Sequence, residues 1–257
     1  MRGPSMGMFD LSGKRAIVTG GNGGIGRGIA LALAEAGASV CIAGRNEEKN
    51  SAVRTEIEAL GGTVITQCCD VNDKLSIAET LTSTVNAFGG VDVLVNNAGI
   101  AALNPPQDMT DEEWQSVIDT NLSSVFMFSR AAYPELAKHG GKIVNIGSMY
   151  SLLGTPLLAS YAASKGGVVQ LTKSLAVSWA ADNIQVNAIL PGWIESDMTA
   201  PIETDMTDLY ASIVARTPAG RFGTPEELGG TAVFLASSAS DFVTGQSLAV
   251  CGGYSIA

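Results

Sequence analysis

From end to end this chain alternates short β-branched or apolar runs with longer stretches of helical periodicity, and few folds accommodate that alternation. The runs fall at Arg15–Thr19, Ser39–Ala43, Thr63–Gln67, Val91–Val95, Lys142–Ile146, Ile184–Ile189 and Ser247–Val250. Several are almost wholly apolar, as strands covered on both faces must be. Helical patterns fill the intervals at Gly24–Ala36, Glu47–Leu60, Lys74–Phe88, Asp111–Lys138, Tyr161–Ala181 and Pro225–Ser237. Strands separated by helices are joined by crossovers, so the expected class is α/β, a parallel sheet of seven strands with helices on both faces.

The 257 residues suit one core, and no linker rich in Pro or Ser divides them. A single domain over 9–257 is expected, preceded by a tail at 1–8 that is extraneous to the fold. The segment 193–217 breaks the alternation with Pro201 and many Thr and Asp residues, and is a candidate lid. Thr110-Asp-Glu-Glu113 and Thr224-Pro-Glu-Glu227 read as capping boxes, so their carboxylates serve helix ends rather than a metal. No His pair or carboxylate-His spacing suggests a metal site. A net charge of -10 argues against nucleic acid, whose phosphates demand clustered cations. No apolar stretch reaches membrane-spanning length. Cys41, Cys68, Cys69 and Cys251 show no CxxC spacing, which predicts reduced thiols in a soluble, cytoplasmic protein. Trp114 and Trp179 are expected to anchor helix packing.

After the first strand comes Gly20-Gly-Asn22-Gly-Gly24-Ile25-Gly26, opening directly into a helix. Glycines there let the backbone turn tightly and approach a pyrophosphate at the helix N-terminus, where amide donors and the dipole favour anions. Strand, glycine turn and helix in that order are the context a dinucleotide site needs. NAD sites place an acidic residue at the end of the second strand. Here that stretch reads Ala43-Gly44-Arg45-Asn46, and Arg45 offers a charged fork suited to a 2′-phosphate. NADP is therefore favoured over NAD, unless Arg45 instead pairs in solvent with Glu47 or Glu48.

Ser160-Tyr161-Ala-Ala-Ser-Lys165 puts a phenol and an ammonium four residues apart, on one helix face. A nearby ammonium favours the phenolate, and a phenol so tuned exchanges a proton with an alcohol oxygen while a nicotinamide carries hydride. With Asn96-Asn97-Ala98-Gly99, Ser148 and Pro191-Gly192 each just beyond a strand, the chain resembles the short-chain dehydrogenase/reductase family from Phe9 to Tyr254.

That resemblance implies a Rossmann-type doubly wound sheet in the order 3-2-1-4-5-6-7. It implies Tyr161 as general acid/base, Lys165 as its partner and a ribose ligand, Ser148 as donor to the reacting oxygen, and Asn121 as holder of a water behind Lys165. It implies adenine contacts from Asp70 and Val71, a ribose wall from Asn97, Ala98 and Gly99, and a carboxamide contact from Ile194 beyond Pro191 and Gly192. Two positions depart from the family pattern, Cys251 where an Asp is usual and Ser196 where a Thr is. Met149, Tyr150, Leu152, Leu153 and Trp193 are expected to rim an apolar substrate pocket. The segment from Arg216 to Gly245 resembles both bacterial sugar and sugar-acid dehydrogenases and 3-oxoacyl-carrier-protein reductases, which leaves the small-molecule substrate open; Asp182 leans away from the latter, with Arg130 as a remaining carrier contact. The resemblance further implies a homotetramer paired through the helices at Asp111–Lys138 and Tyr161–Ala181 and the last strand. A non-catalytic dinucleotide sensor on the same fold, or an adenosyl-dependent methyl transferase, shares the glycine turn but has no need of Tyr161 and Lys165.

Overall fold

The computed structural model describes residues 7–257; of the tail expected over 1–8, residues 1–6 lie outside the described residues, whereas the Met8 carbonyl accepts from Ala239 N at 3.3 Å. Seven strands form one parallel sheet: β1 (Arg15–Thr19), β2 (Ser39–Gly44), β3 (Val64–Cys68), β4 (Val93–Asn96), β5 (Gly141–Ile146), β6 (Ile184–Pro191) and β7 (Ser247–Val250). Their order is β3-β2-β1-β4-β5-β6-β7, with every neighbouring pair parallel. β1 and β7 keep the bounds read in the sequence, and the other strands move at one or both ends by one or two residues.

Side chains alternate across the sheet with the period of two that strands impose. Ala16 and Val18 enter one apolar layer with Ile29 and Leu33 of α1 (Gly24–Glu35) and Ile57 of α2 (Glu47–Ala59). Ile17 between them enters the opposite layer with Ile77 of α3 (Lys74–Phe88) and Phe128 of the long helical region after β4. Burial on both faces explains why the central strands read as unbroken apolar runs.

The helix expected over Asp111–Lys138 is instead α4 (Asp111–Ile118), a π turn (Asp119–Ser123) and α5 (Ser124–Leu136). The interruption coincides with a contact to a residue well back along the chain. The Asn121 side chain reaches across to the loop after β4, accepting from Ile100 N and donating to Ile100 O, both at 2.8 Å. Such wide turns recur at functional sites. The next helix, α6 (Ala159–Trp179), starts two residues earlier than its pattern suggested.

The candidate lid is not irregular. It carries α7 (Ala200–Asp205) and α8 (Thr207–Arg216), and Pro201 sits in the first turn of α7, where no amide donor is required. The Thr110 capping box forms as expected, with Glu113 N donating to Thr110 Oγ1 at 3.2 Å and Thr110 N to Glu113 Oε2 at 3.0 Å. The Thr224 box forms by half. Glu227 accepts from Thr224 N at 2.8 Å, but Glu227 N turns to the Thr224 carbonyl at 3.1 Å, because the segment Pro225–Leu228 winds as a tighter 3-10 turn before α9 (Gly229–Ala236).

Candidate active site

Strand order reverses between β1 and β4, and in an open parallel sheet ligands bind beyond the C-terminal ends of the strands at that point. A cleft of about 530 Å³ lies there. The glycine turn forms its floor. Gly20 and Gly24 have φ of 60° and 47°, and a Cβ on Gly26 would overlap Gly20 O and Asn97 Nδ2. Gly23 at the N-cap of α1 offers no side chain to the first-turn amides, so these donors face the cleft uncapped by the protein.

Two polar networks hold this turn. Asn97 Nδ2 donates to Thr19 O at 3.0 Å and Gly20 O at 3.1 Å, while Asn97 N and Ala98 N both donate to Thr19 Oγ1, at 2.9 and 3.1 Å. On the other side Asn22 Nδ2 donates to Asn50 Oδ1 at 2.7 Å, and Asn50 Nδ2 to Gly44 O at 2.8 Å. Sequence reasoning missed Thr19 and Asn50. An Asn on the apolar face of α2 was the available signal.

Arg45 is exposed at the end of β2 and lines the cleft with Asp70 and Val71. Among the described residues it pairs with neither Glu47 nor Glu48. Lys49, unforeseen in the sequence, also lines this end and reaches Asp197, near the start of the segment 193–217, 2.5 Å away.

At the other end stand Ser148, Tyr161 and Lys165. Ser148 is buried just beyond β5, and its hydroxyl oxygen accepts from Tyr150 N at 3.1 Å, which leaves its proton free to donate. Tyr161 and Lys165 lie in the first two turns of α6, one turn apart, with Lys165 Nζ 5.6 Å from the phenol ring centre. That ammonium is buried and donates to Ile146 O at 2.7 Å. Burial pulls it down to about 8 from its ordinary 10.5. Burial pushes the Tyr161 phenol above its ordinary value, and the bond to Ser148 pulls it part of the way back. The lowering expected for Tyr161 combines this ammonium with the charge of an oxidised nicotinamide; with protein groups alone, desolvation of the phenol prevails.

Asn121 is fully buried behind the cleft rather than in its lining. Beyond its two bonds to Ile100 it donates to Ser164 Oγ at 3.2 Å, and that hydroxyl donates to Tyr161 O at 2.7 Å. Ser164 was not foreseen. Gly99 keeps this neighbourhood open, since a Cβ there would stand 3.2 Å from Asn121 Oδ1 and 3.5 Å from Lys165 Nζ.

Pro191, Gly192, Trp193 and Ile194 continue β6 along the cleft, with Met149 and Tyr150 facing them. Trp193 stacks on Phe222 at 5.8 Å and meets Tyr150 edge-on at 6.1 Å. Leu152 and Leu153 are not in the lining. The tight turn Met149–Ser151 carries the chain away, leaving Leu152 exposed and Leu153 packed behind Met149. Trp114 is also no anchor: α4 buries only Val117, and the indole stays exposed, whereas Trp179 packs against Tyr133 at 5.0 Å. Cys251 sits under Gly192, whose absent Cβ makes room for it. Burial raises its thiol, but the Ser255 hydroxyl and the amides of Ser255, Gly253 and Tyr254 outweigh this and hold it below its ordinary value. Asp182 accepts from Tyr133 Oη at 2.9 Å. Among the described residues no helix is long and apolar enough to cross a membrane, and no three His, Cys, Asp or Glu side chains converge as metal ligands.

Comparison with known proteins agrees with this geometry. The family model described as enoyl-(acyl carrier protein) reductase matches residues 20–255. The 2-dehydro-3-deoxy-D-gluconate 5-dehydrogenase of Dickeya dadantii is 42% identical over 248 residues, 96% of this chain and 97% of that protein. A 3-oxoacyl-acyl-carrier-protein reductase of Chlamydia pneumoniae is 41% identical over 244 residues, 95% of this chain and 97% of that one. The crystal structure of a gluconate 5-dehydrogenase from Burkholderia cenocepacia, in complex with NADP and tartrate, superposes with a TM-score of 0.93 at 38% identity, covering 99% of this chain and all of that chain. A glycine-floored cleft, a Ser, Tyr and Lys at one end of it, and relatives aligned over nearly the whole length lead to one assignment: the chain belongs to the short-chain dehydrogenase/reductase family.

Proposed function

We propose that this chain is an NADP-dependent oxidoreductase that interconverts a secondary alcohol and a ketone, with Tyr161 as general acid/base. The observation that carries the reading is that Ser148, Tyr161 and Lys165 line the same cleft as the glycine turn. The residues fit the dinucleotide. Gly20, Gly24 and Gly26 leave the backbone bare where a pyrophosphate needs close approach, and uncapped amides of α1 point at it. Arg45 would hold the 2′-phosphate, Asp70 and Val71 the adenine, and Asn97, Ala98 and Gly99 the adenosine ribose. Tyr161 and Lys165 would hold the nicotinamide ribose, and Pro191, Gly192 and Ile194 would flank the carboxamide. When bound, NADP supplies a ring that gives or takes hydride.

The protein's own groups handle the proton. Tyr161, kept protonated by burial, donates to a carbonyl oxygen during reduction and recovers a proton through the Lys165 side. Ser148 donates to the same oxygen and steadies its developing charge. Asn121 spends both amide protons on Ile100 and Ser164, which ties the π turn to the loop after β4 and to α6, and it would hold a water behind Lys165. Met149 and Trp193 wall the substrate, and residues 193–217 close over it.

The relatives support a secondary alcohol or ketone as the reacting group, since sugar-acid dehydrogenases and 3-oxoacyl reductases both work on one. Exposed Phe126 and Val177 on α5 and α6 support a homotetramer, and four free thiols support a cytoplasmic location. The test is oxidation of NADPH and NADH with a ketone panel, beside Tyr161→Phe. Turnover with NADPH that vanishes in the variant is expected; turnover that survives it would sink the role of Tyr161.

A further inference from the structure

The proposed hydride transfer leaves open what the carbonyl is attached to, and the distribution of charge along the cleft bears on this. Among the described residues its cations are Arg45, Lys49 and Lys165. Arg45 and Lys49 follow β2, and Ser148 follows β5. Three strand steps separate them in the sheet, about 14 Å at ~4.8 Å per step. Lys165 spends one of its three donors on Ile146 O and, in the reading above, faces the nicotinamide ribose with the rest. Around Ser148 the lining is Met149, Tyr150, Leu158, Trp193, Met198 and Ile202. Four of these belong also to an apolar cluster with Ile213, Phe222 and Tyr254, so packing holds them in place. The cation beside that cluster, Arg216, lies over the Tyr254 ring at 4.3 Å and does not line the cleft. Glu203 and Asp205 on α7 and Asp208 on α8 are exposed and do not line the cleft either.

A carboxylate bound beside Ser148 would give up its water without meeting a counter-charge, the costliest way to bury an ion. We infer that the substrate is an uncharged, largely apolar ketone or secondary alcohol, and that the cleft rejects anionic sugar acids although relatives are named for them. The inference rests on the hydride-transfer reading proposed above, and deepens it.

Charge can be isolated by comparing one ketone in two forms, methyl 4-acetylbenzoate and 4-acetylbenzoate, with 5-ketogluconate as the sugar-acid arm and NADPH as reductant. The ester should exceed the free acid in kcat/KM by about 100-fold, two decades at about 1.4 kcal/mol each. Ile202→Arg places a cation on the lid and should narrow that ratio about tenfold by raising turnover of the acid, a gain of about 1.4 kcal/mol. Met198→Arg, at an exposed lid position, makes the same test if the first variant does not fold. Equal rates for acid and ester, or fastest turnover of 5-ketogluconate, would overturn the inference and leave the hydride-transfer reading standing. Failure to reduce any ketone, charged or neutral, would overturn both.

Discussion

The two ends of the cleft are built by different means. At the Arg45 end the working groups are backbone: glycines that admit a ligand, helix amides that meet it, and side chains such as Asn97 and Asn50 whose task is to pin the main chain. At the Ser148 end the groups offered are side chains, and beside them stands an apolar cluster assembled from the turn after β5, the segment after β6, α7, α8 and the C-terminal turn. A backbone site tolerates little change in volume, and here two cations, Arg45 and Lys49, stand beside it. A side-chain site can be re-tuned residue by residue, which is how one scaffold serves different carbonyl compounds.

Substitutions at the two ends should separate accordingly. The largest effect belongs to Tyr161→Phe, which removes the proton donor and should lower kcat by about 10²–10⁴-fold while NADPH affinity, measured by fluorescence titration, stays within a few-fold. Next is Gly26→Ala, whose methyl meets Gly20 O and the Asn97 amide. Overpacking of this kind costs about 1–3 kcal/mol, so NADPH affinity should fall by about tenfold or more with the melting temperature lowered as well. Arg45→Ala should weaken NADPH by about 1.5–3 kcal/mol, the worth of hydrogen bonds to a charged group, and leave NADH unchanged. If both cofactors weaken together, Arg45 shapes the loop and does not read the 2′-phosphate.

A smaller effect tests Lys165 through pH. Its native value of about 8 lies below the ordinary 10.5, so between these the unfolded chain binds the proton more tightly. Burying the charged form therefore destabilises the fold below pH 8, and this penalty lifts as pH rises from about 8 towards 10.5. Lys165→Met should raise the melting temperature at pH 7 and flatten its rise over that window, read against wild type in thermal melts. The smallest effect is at Asp197. Its bond to Lys49 is exposed on both sides, and Asp197→Ala should change stability by no more than about 1 kcal/mol.

Much of this molecule was legible in the sequence because the signals are local. Apolar runs set the strands, glycines at 20, 24 and 26 set the turn, and the spacing of Tyr161 and Lys165 puts both on one face of α6. Each depends on a few neighbouring residues and on the fixed periods of helix and strand. What remained hidden depends on partners far along the chain. The π turn at Asn121 coincides with the contact of its side chain to Ile100, 21 residues away; Asn50 matters because Asn22 and Gly44 converge on it. The direction of the Tyr161 shift turns on how much water the assembled fold removes. Leu152 and Leu153 leave the pocket because the turn before them closes early. By itself, then, the sequence determined the order of the elements, the faces they bury and the residue types offered to the cleft, since these follow from backbone periodicity and transfer of apolar side chains from water. Tertiary structure alone decided which polar groups are satisfied, which are desolvated and which end of the cleft carries charge, because those are properties of contacts that no short stretch of chain contains.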